Sequence, residues 1–299
     1  MALVESEGGT DRMADGLHWQ AGLQMTTPTT LEDIARQALD GDRDALDGLV
    51  RALQGDVYGL ALRMLWNRED AEDATQEILV RIVTRLSKFG FRSRLKTWAY
   101  RLAVNYILDV KKSAIERLHL SFDRFADDLA GGLEPASADD TEQSLLIEEV
   151  KVGCTLAMLQ CLDRSHRAAY VLGEVMELSG PEAADVLAIS PALFRKRLQH
   201  ARAVVLAFTK SHCGLVSDAA PCQCHRRVPS AELARAGEDR PVQFARRATS
   251  FQEARALVRQ VDEARWALEA HRSSQPRAAS IDFAQRIIDA IESSRDSTP

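Results

Sequence analysis

The sequence predicts an all-α protein: two helical modules, a bundle and a helix-turn-helix, joined by a flexible linker and followed by a C-terminal helical extension. Three observations predict this. Apolar residues recur at three-to-four spacing from Thr30 and again from near Leu145. Between those runs lies an acid-rich stretch interrupted by Gly131, Gly132 and Pro135. Inside the second run, two short helical patterns flank a tight turn.

At 299 residues the chain is long enough for two domains of ordinary size plus extensions. Its formal net charge of -6 argues against a uniformly basic DNA-coating protein, but patches of opposite sign are legible by segment. No apolar run is long enough to span a bilayer, and the N-terminus MALVESEGGTDRMADG is acidic where a signal peptide needs a basic start. A cytoplasmic protein with no membrane partner is expected. Five cysteines do not make a secreted disulfide framework: Cys154 and Cys161 lie on a helical pattern, while Cys213, Cys222 and Cys224 cluster in a short loop-like segment.

Residues 1–27 read as a disordered leader rich in Gly, Thr, Asp and Glu. From Thr30, Leu31, Ile34, Ala38, Leu46, Leu49, Val50, Leu53, Val57, Leu60 and Leu65 follow helical spacing, with turns expected at Gly41 and Gly55. Asn67 is the expected N-cap of a helix running to Gly90, with Ala71, Ala74, Ile78, Ile82, Leu86 and Phe89 on one side. Its other side changes sign, from Glu69, Asp70, Glu72, Asp73 and Glu77 to Arg81, Arg85 and Lys88. The helix dipole favours that order in any helix, but acids persisting to Glu77 equally suit a basic partner surface.

From Phe91 to Lys112 an apolar stripe of Leu95, Trp98, Ala99, Leu102, Ala103, Tyr106, Ile107 and Val110 faces a core. Arg94, Thr97, Arg101, Asn105 and Lys112 fall opposite it, with Lys96, Tyr100 and Lys111 on the flank and Arg92 just before. A cationic helix about 30 Å long suits a phosphate backbone with bases nearby, and it also suits a plain solvated face. Trp98 and Tyr106 belong to the core side.

After the acidic linker, Ser179 and Glu182 form an expected capping box, and Ser190-Pro191 opens a second helix. Leu193, Phe194, Leu198, Ala201 and Val205 point to a core, leaving Arg195, Lys196, Arg197, Gln199, His200 and Arg202 elsewhere. Arg pairs bidentately with guanine and Gln with adenine, so this helix suits major-groove reading. Helical hairpins that merely pack are the alternative.

DAEDATQE at 70–77, TWAYRLAVNYILDVKK at 97–112, the LxxLxxxxR pattern at 159–167 and SPALFRKRLQHAR at 190–202 resemble the sigma-70 family. The closest resemblance is to its extracytoplasmic-function (ECF) branch, which consists of a region 2 and a region 4 domain. It covers about residues 30–210, with region 2 at 28–117, the linker at 118–144, region 4 at 145–210 and an extension at 211–299. The resemblance implies a non-enzymatic factor that binds core RNA polymerase and directs promoter recognition, DNA melting and transcription initiation. It implies polymerase docking through Asp70, Glu72, Asp73, Gln76 and Glu77, on a basic coiled-coil of the largest subunit. It implies minus-ten contacts from Arg92, Arg94, Lys96, Tyr100, Arg101, Asn105 and Lys112, with the Phe89–Arg94 loop cradling a flipped base. It implies minus-thirty-five contacts from Ser190, Arg195, Lys196, Arg197, Gln199 and Arg202, and a linker running along the RNA exit path. The chain departs from the family at Leu162-Asp163, where Leu-Pro is usual, and in the recognition helix at Ala192, Leu193, Phe194, Lys196 and His200.

The extension is not explained by that resemblance. Cys213, Cys222 and Cys224, with His212 and His225, are candidate ligands for a soft or borderline metal; a redox-active thiol pair and a structural turn are the alternatives. No cofactor is otherwise expected. Ser250 with Glu253 predicts a helix carrying Phe251, Ala254, Leu257, Val258, Val261, Ala264 and Leu268, and a last helix carries Phe283, Ile287, Ile288 and Ile291. Both faces want a partner, either the chain's own modules or another protein such as an anti-sigma factor, as in a built-in regulatory module. The rival readings of the whole chain are a free-standing helix-turn-helix regulator and a helical interaction adaptor.

Overall fold

The computed structural model describes residues 30–110, 119–131, 133, 144–234, 251–260, 265–276 and 278–296. Among these are thirteen α-helices and no strand beyond one isolated bridge pair, Cys213 with Cys222. The leader at 1–27, Lys112 and Ser250 lie outside the described residues.

α1 (Leu31–Leu39) opens on a reciprocal capping box: the Thr30 hydroxyl accepts from the Asp33 amide at 3.1 Å, and the Asp33 carboxylate accepts from the Thr30 amide. Gly41, at φ 96°, makes the turn expected there. Gly55 does not. α2 (Arg43–Leu65) runs through it, because Leu49, Leu53, Val57 and Leu60 keep one fully buried stripe whose packing outweighs the roughly 1 kcal/mol that a helical glycine costs. α3 (Arg68–Thr84) starts at Asn67, whose side chain accepts from the Asp70 amide at 2.8 Å. It ends before Gly90, giving way to a 3-10 turn at Leu86–Lys88. α4 (Leu95–Asp109) then packs on α2 and α3 through Leu95, Ala99, Ala103 and Ile107.

The stretch read as a flexible linker is partly helical. α5 (Phe122–Gly131) buries Phe125 and Leu129, and Phe122 and Phe125 lie 5.0 and 5.4 Å from the Phe208 ring. Asp123, Asp127 and Asp128 make the stretch acidic, but Phe122 and Phe125, spaced three apart, supply an apolar face that packs on Phe208. Residues 134–143 lie outside the described residues.

α6 (Ser144–Gln160) and α7 (Arg164–Tyr170) precede a π-helical turn at Val171–Val175, then α8 (Gly180–Val186) and α9 (Pro191–His212). Ser179 and Glu182 form the expected capping box, and the Ser190 hydroxyl accepts from the Leu193 amide at 3.2 Å. Asp163 explains the missing Leu-Pro turn: its carboxylate accepts from the Ser165 and His166 amides at 2.9 and 3.0 Å and so caps α7 by hydrogen bonds instead of ring rigidity. Partial burial opposes its ionisation, but those bonds hold the carboxyl well below the usual range.

The two modules share one apolar core. Leu156, Leu159, Ala168 and Leu172 belong to the same buried cluster as Leu65, Ile82 and Ile107. Arg167, buried, fastens them: it donates to the Leu159 carbonyl at 2.9 Å, to the Leu162 carbonyl at 3.0 Å, and to the Met64 carbonyl at the end of α2. Arg164 does the same for α4, donating to the Leu108 and Val110 carbonyls, each at 2.9 Å.

The extension adds α10 (Cys224–Ala234), α11 (Phe251–Val258), α12 (Trp266–Ser273) and α13 (Phe283–Asp296). The helix expected from Phe251 to Leu268 is therefore two helices among the described residues, with Val261 and Ala264 outside them. α10 packs on α6, α12 on α9 and on the π-helical turn, and α13 on α2 and α3, so the partner surface that these helices want is the chain itself.

Candidate functional site

The acid-rich side of α3 is partly open. Asp70 and Asp73 are exposed, and Glu77 pairs with Arg81 at 2.7 Å in a half-exposed i,i+4 bridge. Glu72 and Gln76 sit on the adjacent stripe. The Glu72 side chain, only 12% exposed, accepts from Arg68 Nε at 3.0 Å and from the Ser280 amide at 3.3 Å. Gln76 Oε1 accepts from Arg286 at 3.1 Å.

On α4 and the loop before it, Arg92, Arg94, Lys96 and Asn105 are exposed and Arg101 is half-buried. The loop turns on two successive left-handed residues, Gly90 at φ 65° and Phe91 at φ 53°. Phe91 is held there by the Phe89 ring at 4.7 Å and by the Arg36 guanidinium 4.6 Å from its centroid. Glu32 of α1 accepts from the Leu95 amide at 2.7 Å, supplying from another helix the cap that Arg94 cannot.

Tyr100 needs correction as a contact residue. It is buried, and its hydroxyl donates to Asp56 of α2 at 2.8 Å, where Lys96 also pairs at 2.8 Å. Thr97, read on the polar side, is buried as well. α4 touches α2, α3 and α8, so its buried arc is wider than a single stripe. Trp98 and Tyr106 are half-buried, Trp98 against Phe89 at 5.4 Å and Tyr106 beneath the Arg81 guanidinium at 4.5 Å.

The helix-turn-helix lies against this basic helix. Arg94, with its side chain 78% exposed, reaches Glu182 at 3.2 Å, and Arg101 pairs with the Asp185 carboxylate while its Nε donates to the Asp185 carbonyl at 3.0 Å. Both acids are visible in the sequence, but only folding puts α8 beside α4. On α9, Ser190, Arg195, Lys196, Gln199 and His200 are exposed and Arg197 is half-buried. Leu193 is 39% exposed and not a core residue, since the apolar stripe of α9 follows Phe194, Leu198, Ala201 and Val205. Arg202 is exposed but engaged: it pairs with Glu174, a buried carboxylate.

Cys213, Cys222 and Cys224 line one side of an apolar cavity of about 500 Å³, together with Cys154 of α6, which spacing alone did not connect to them. The bridge pair is tight: the Gly214 amide donates to the Cys222 carbonyl at 2.7 Å, and a Cβ at Gly214 would meet that oxygen at 2.7 Å. Burial pushes the thiols up, Cys222 to about 12, and all five cysteines are free. Among the described residues no three His, Cys, Asp or Glu side chains converge closely enough to hold a metal ion. His212 instead turns back to the Phe208 carbonyl at 3.0 Å, and His225 lies against Phe251 at 5.2 Å.

A family model for Sigma-70 region 2 matches residues 49–114, the span from mid-α2 through α4. Over 179 residues the chain is 27% identical to the ECF RNA polymerase sigma factor SigW of Bacillus subtilis, covering 56% of this chain and 90% of that one. The chain is thus similar to the ECF branch of the sigma-70 family. SigE of Mycolicibacterium smegmatis, another ECF sigma factor, is 28% identical over 180 residues, covering 58% of this chain and 65% of its own length. The sigma factor NccH of Alcaligenes xylosoxydans is 27% identical over 188 residues, covering 62% and 98%. Among solved structures, CnrH in complex with the cytosolic domain of CnrY aligns at 24% identity with a TM-score of 0.41, covering 57% of this chain and 90% of that one. These relatives leave about two fifths of this chain unmatched. Among its described residues, no helix is long and apolar enough to cross a membrane.

Proposed function

We propose that this chain binds core RNA polymerase and directs it to promoters, taking part in recognition, melting and initiation without catalysing a reaction itself. One observation carries the reading: the region 2 match coincides with the segment bearing the exposed acids of α3 and the exposed cations of α4. Asp70, Asp73 and Glu77, with Glu72 and Gln76 beside them, form the polymerase-docking face. Arg92, Arg94, Lys96, Arg101 and Asn105 hold the minus-ten element, with Phe91 and the loop around it receiving an unstacked base. Ser190, Arg195, Lys196, Arg197 and Gln199 read the minus-thirty-five duplex. A free-standing helix-turn-helix regulator would leave the acidic α3 face without a role. The factor works in the cytoplasm and without a cofactor of its own.

The test is reconstitution: the purified chain, core polymerase and genomic DNA, with transcript starts mapped by sequencing. New start sites that require the chain are expected, and their absence would count against the reading. Reversing Asp73 and Glu77 to lysine should weaken polymerase binding by about tenfold, measured by anisotropy of a labelled chain. The half-exposed Glu77–Arg81 bridge is worth only about 0.5 kcal/mol of stability, so folding should persist.

A further inference from the structure

The last helix of the extension lies on the same helix that carries the polymerase-docking acids. α13 buries Phe283, Ala284 and Ile287 against α2 and α3, with the Phe283 ring 6.5 Å from that of Tyr58. Around that apolar seat runs a polar rim. Asp282 caps α13 by accepting from the Gln285 amide at 3.1 Å and pairs with Arg51 of α2 at 3.0 Å. The Ser280 amide and hydroxyl each donate to Glu72 at 3.3 Å, and Arg286 donates to Gln76 at 3.1 Å. Two of the five polar residues on the proposed docking face are thus satisfied by the chain's own tail.

We infer that the Glu72–Gln76 edge of α3 is a surface with two alternative occupants: α13 in the free factor, and the basic coiled-coil of core polymerase in the holoenzyme. This rests on the sigma reading above. The chemistry on both sides agrees: Arg286 and the Ser280 donors meet acceptors that a basic helix would also seek, so α13 stands in for the polymerase. The Arg51–Asp282 ion pair on its rim is half-exposed and so adds little to holding α13 in place. A tether of only nine residues between α12 and α13 keeps the local concentration of the tail high, so displacement is a competition and not a simple release. Asp70, Asp73 and Glu77 stay open, leaving a foothold from which polymerase can begin to peel α13 away.

The test compares the full-length chain with full-length Arg286→Glu and the double variant Phe283→Ser with Arg286→Glu, none of which alters the docking acids. If α13 occludes the edge, the double variant binds core polymerase about tenfold more tightly and Arg286→Glu lies between, because the competent fraction of free chains rises. Hydrogen exchange supplies the second readout: residues 283–296 are protected in the free chain and lose protection when polymerase is added. Equal affinities, with α13 still protected in the holoenzyme, would mean that tail and polymerase sit side by side, and would overturn the inference. Failure of every variant, like the parent chain, to bind polymerase would overturn the sigma reading and the inference with it.

Discussion

At the scale of single residues, several side chains have roles set by burial. His271 is buried beside Tyr170, and its Nε2 has no hydrogen-bond partner among the described residues. Burial, with the nearby Arg63 guanidinium adding to it, lowers its pKa from 6.5 to about 3. A pKa depressed by folding means that the unfolded chain takes up a proton first. Stability is therefore complete above about 6.5 and is lost as the pH falls from there toward 3, by on the order of a few kcal/mol. Thermal melting followed across that window should show the loss, and His271→Phe should flatten it. Arg195 lies at the opposite extreme, exposed near the start of α9 with nothing in the core depending on it. Arg195→Ala should leave the melting temperature and polymerase affinity unchanged while lowering minus-thirty-five recognition by an amount worth about 1–3 kcal/mol, read by promoter-fragment competition.

At the scale of elements, the pairing of α4 with α8 matters most. Arg94 and Arg101, two cations assigned to the minus-ten element, face Glu182 and Asp185 in the free chain. On the proposed minus-ten reading, phosphates would compete with these acids for the same guanidinium donors. Half-exposed bridges are worth about 0–1 kcal/mol each, so the contact restrains without locking. Glu182→Gln combined with Asp185→Asn should raise affinity for a minus-ten single strand several-fold at low salt, measured by anisotropy, and the gain should shrink as salt rises. Glutamine at position 182 still serves the capping box with Ser179, so α8 should keep its start. An unchanged affinity would show that the arginines are already available.

At the scale of the whole molecule, the two modules and the extension melt as one body if the shared core governs. The guanidinium of Arg167 joins the end of α2 to the α6–α7 turn; removing it takes the side-chain donor from the Leu162 carbonyl, leaves Met64 only a 3.5 Å bond from Gln160, and leaves Leu159 the Leu162 amide. An unsatisfied buried group costs about 1–3 kcal/mol, so Arg167→Ala should cost at least about that much and split a single calorimetric transition into two. The same arginine stands in the LxxLxxxxR pattern, where the sequence marks it as part of a motif but not as the clasp between modules. Elements defined by local chemistry were legible in this way: the caps at Asn67, Ser179 and Ser190, the turn at Gly41 and the amphipathic face of Phe283 to Ile291 are all present. Legibility failed where a second surface intervened, as at Gly55, at Tyr100 and in the helix from Phe122, each of which is decided by what packs on it.

By itself, then, the sequence determined the all-α class, the order of the two modules, the opposite charges of α3 and α4, and the resemblance to sigma-70 factors. These follow from periodicity, capping and charge, which act within a few residues along the chain. Only the tertiary structure decided which of those charged residues are open, that Tyr100 serves Asp56, that four cysteines share one apolar cavity, and that α13 lies over Glu72 and Gln76. Exposure and pairing depend on neighbours distant in sequence, and no local rule carries that information.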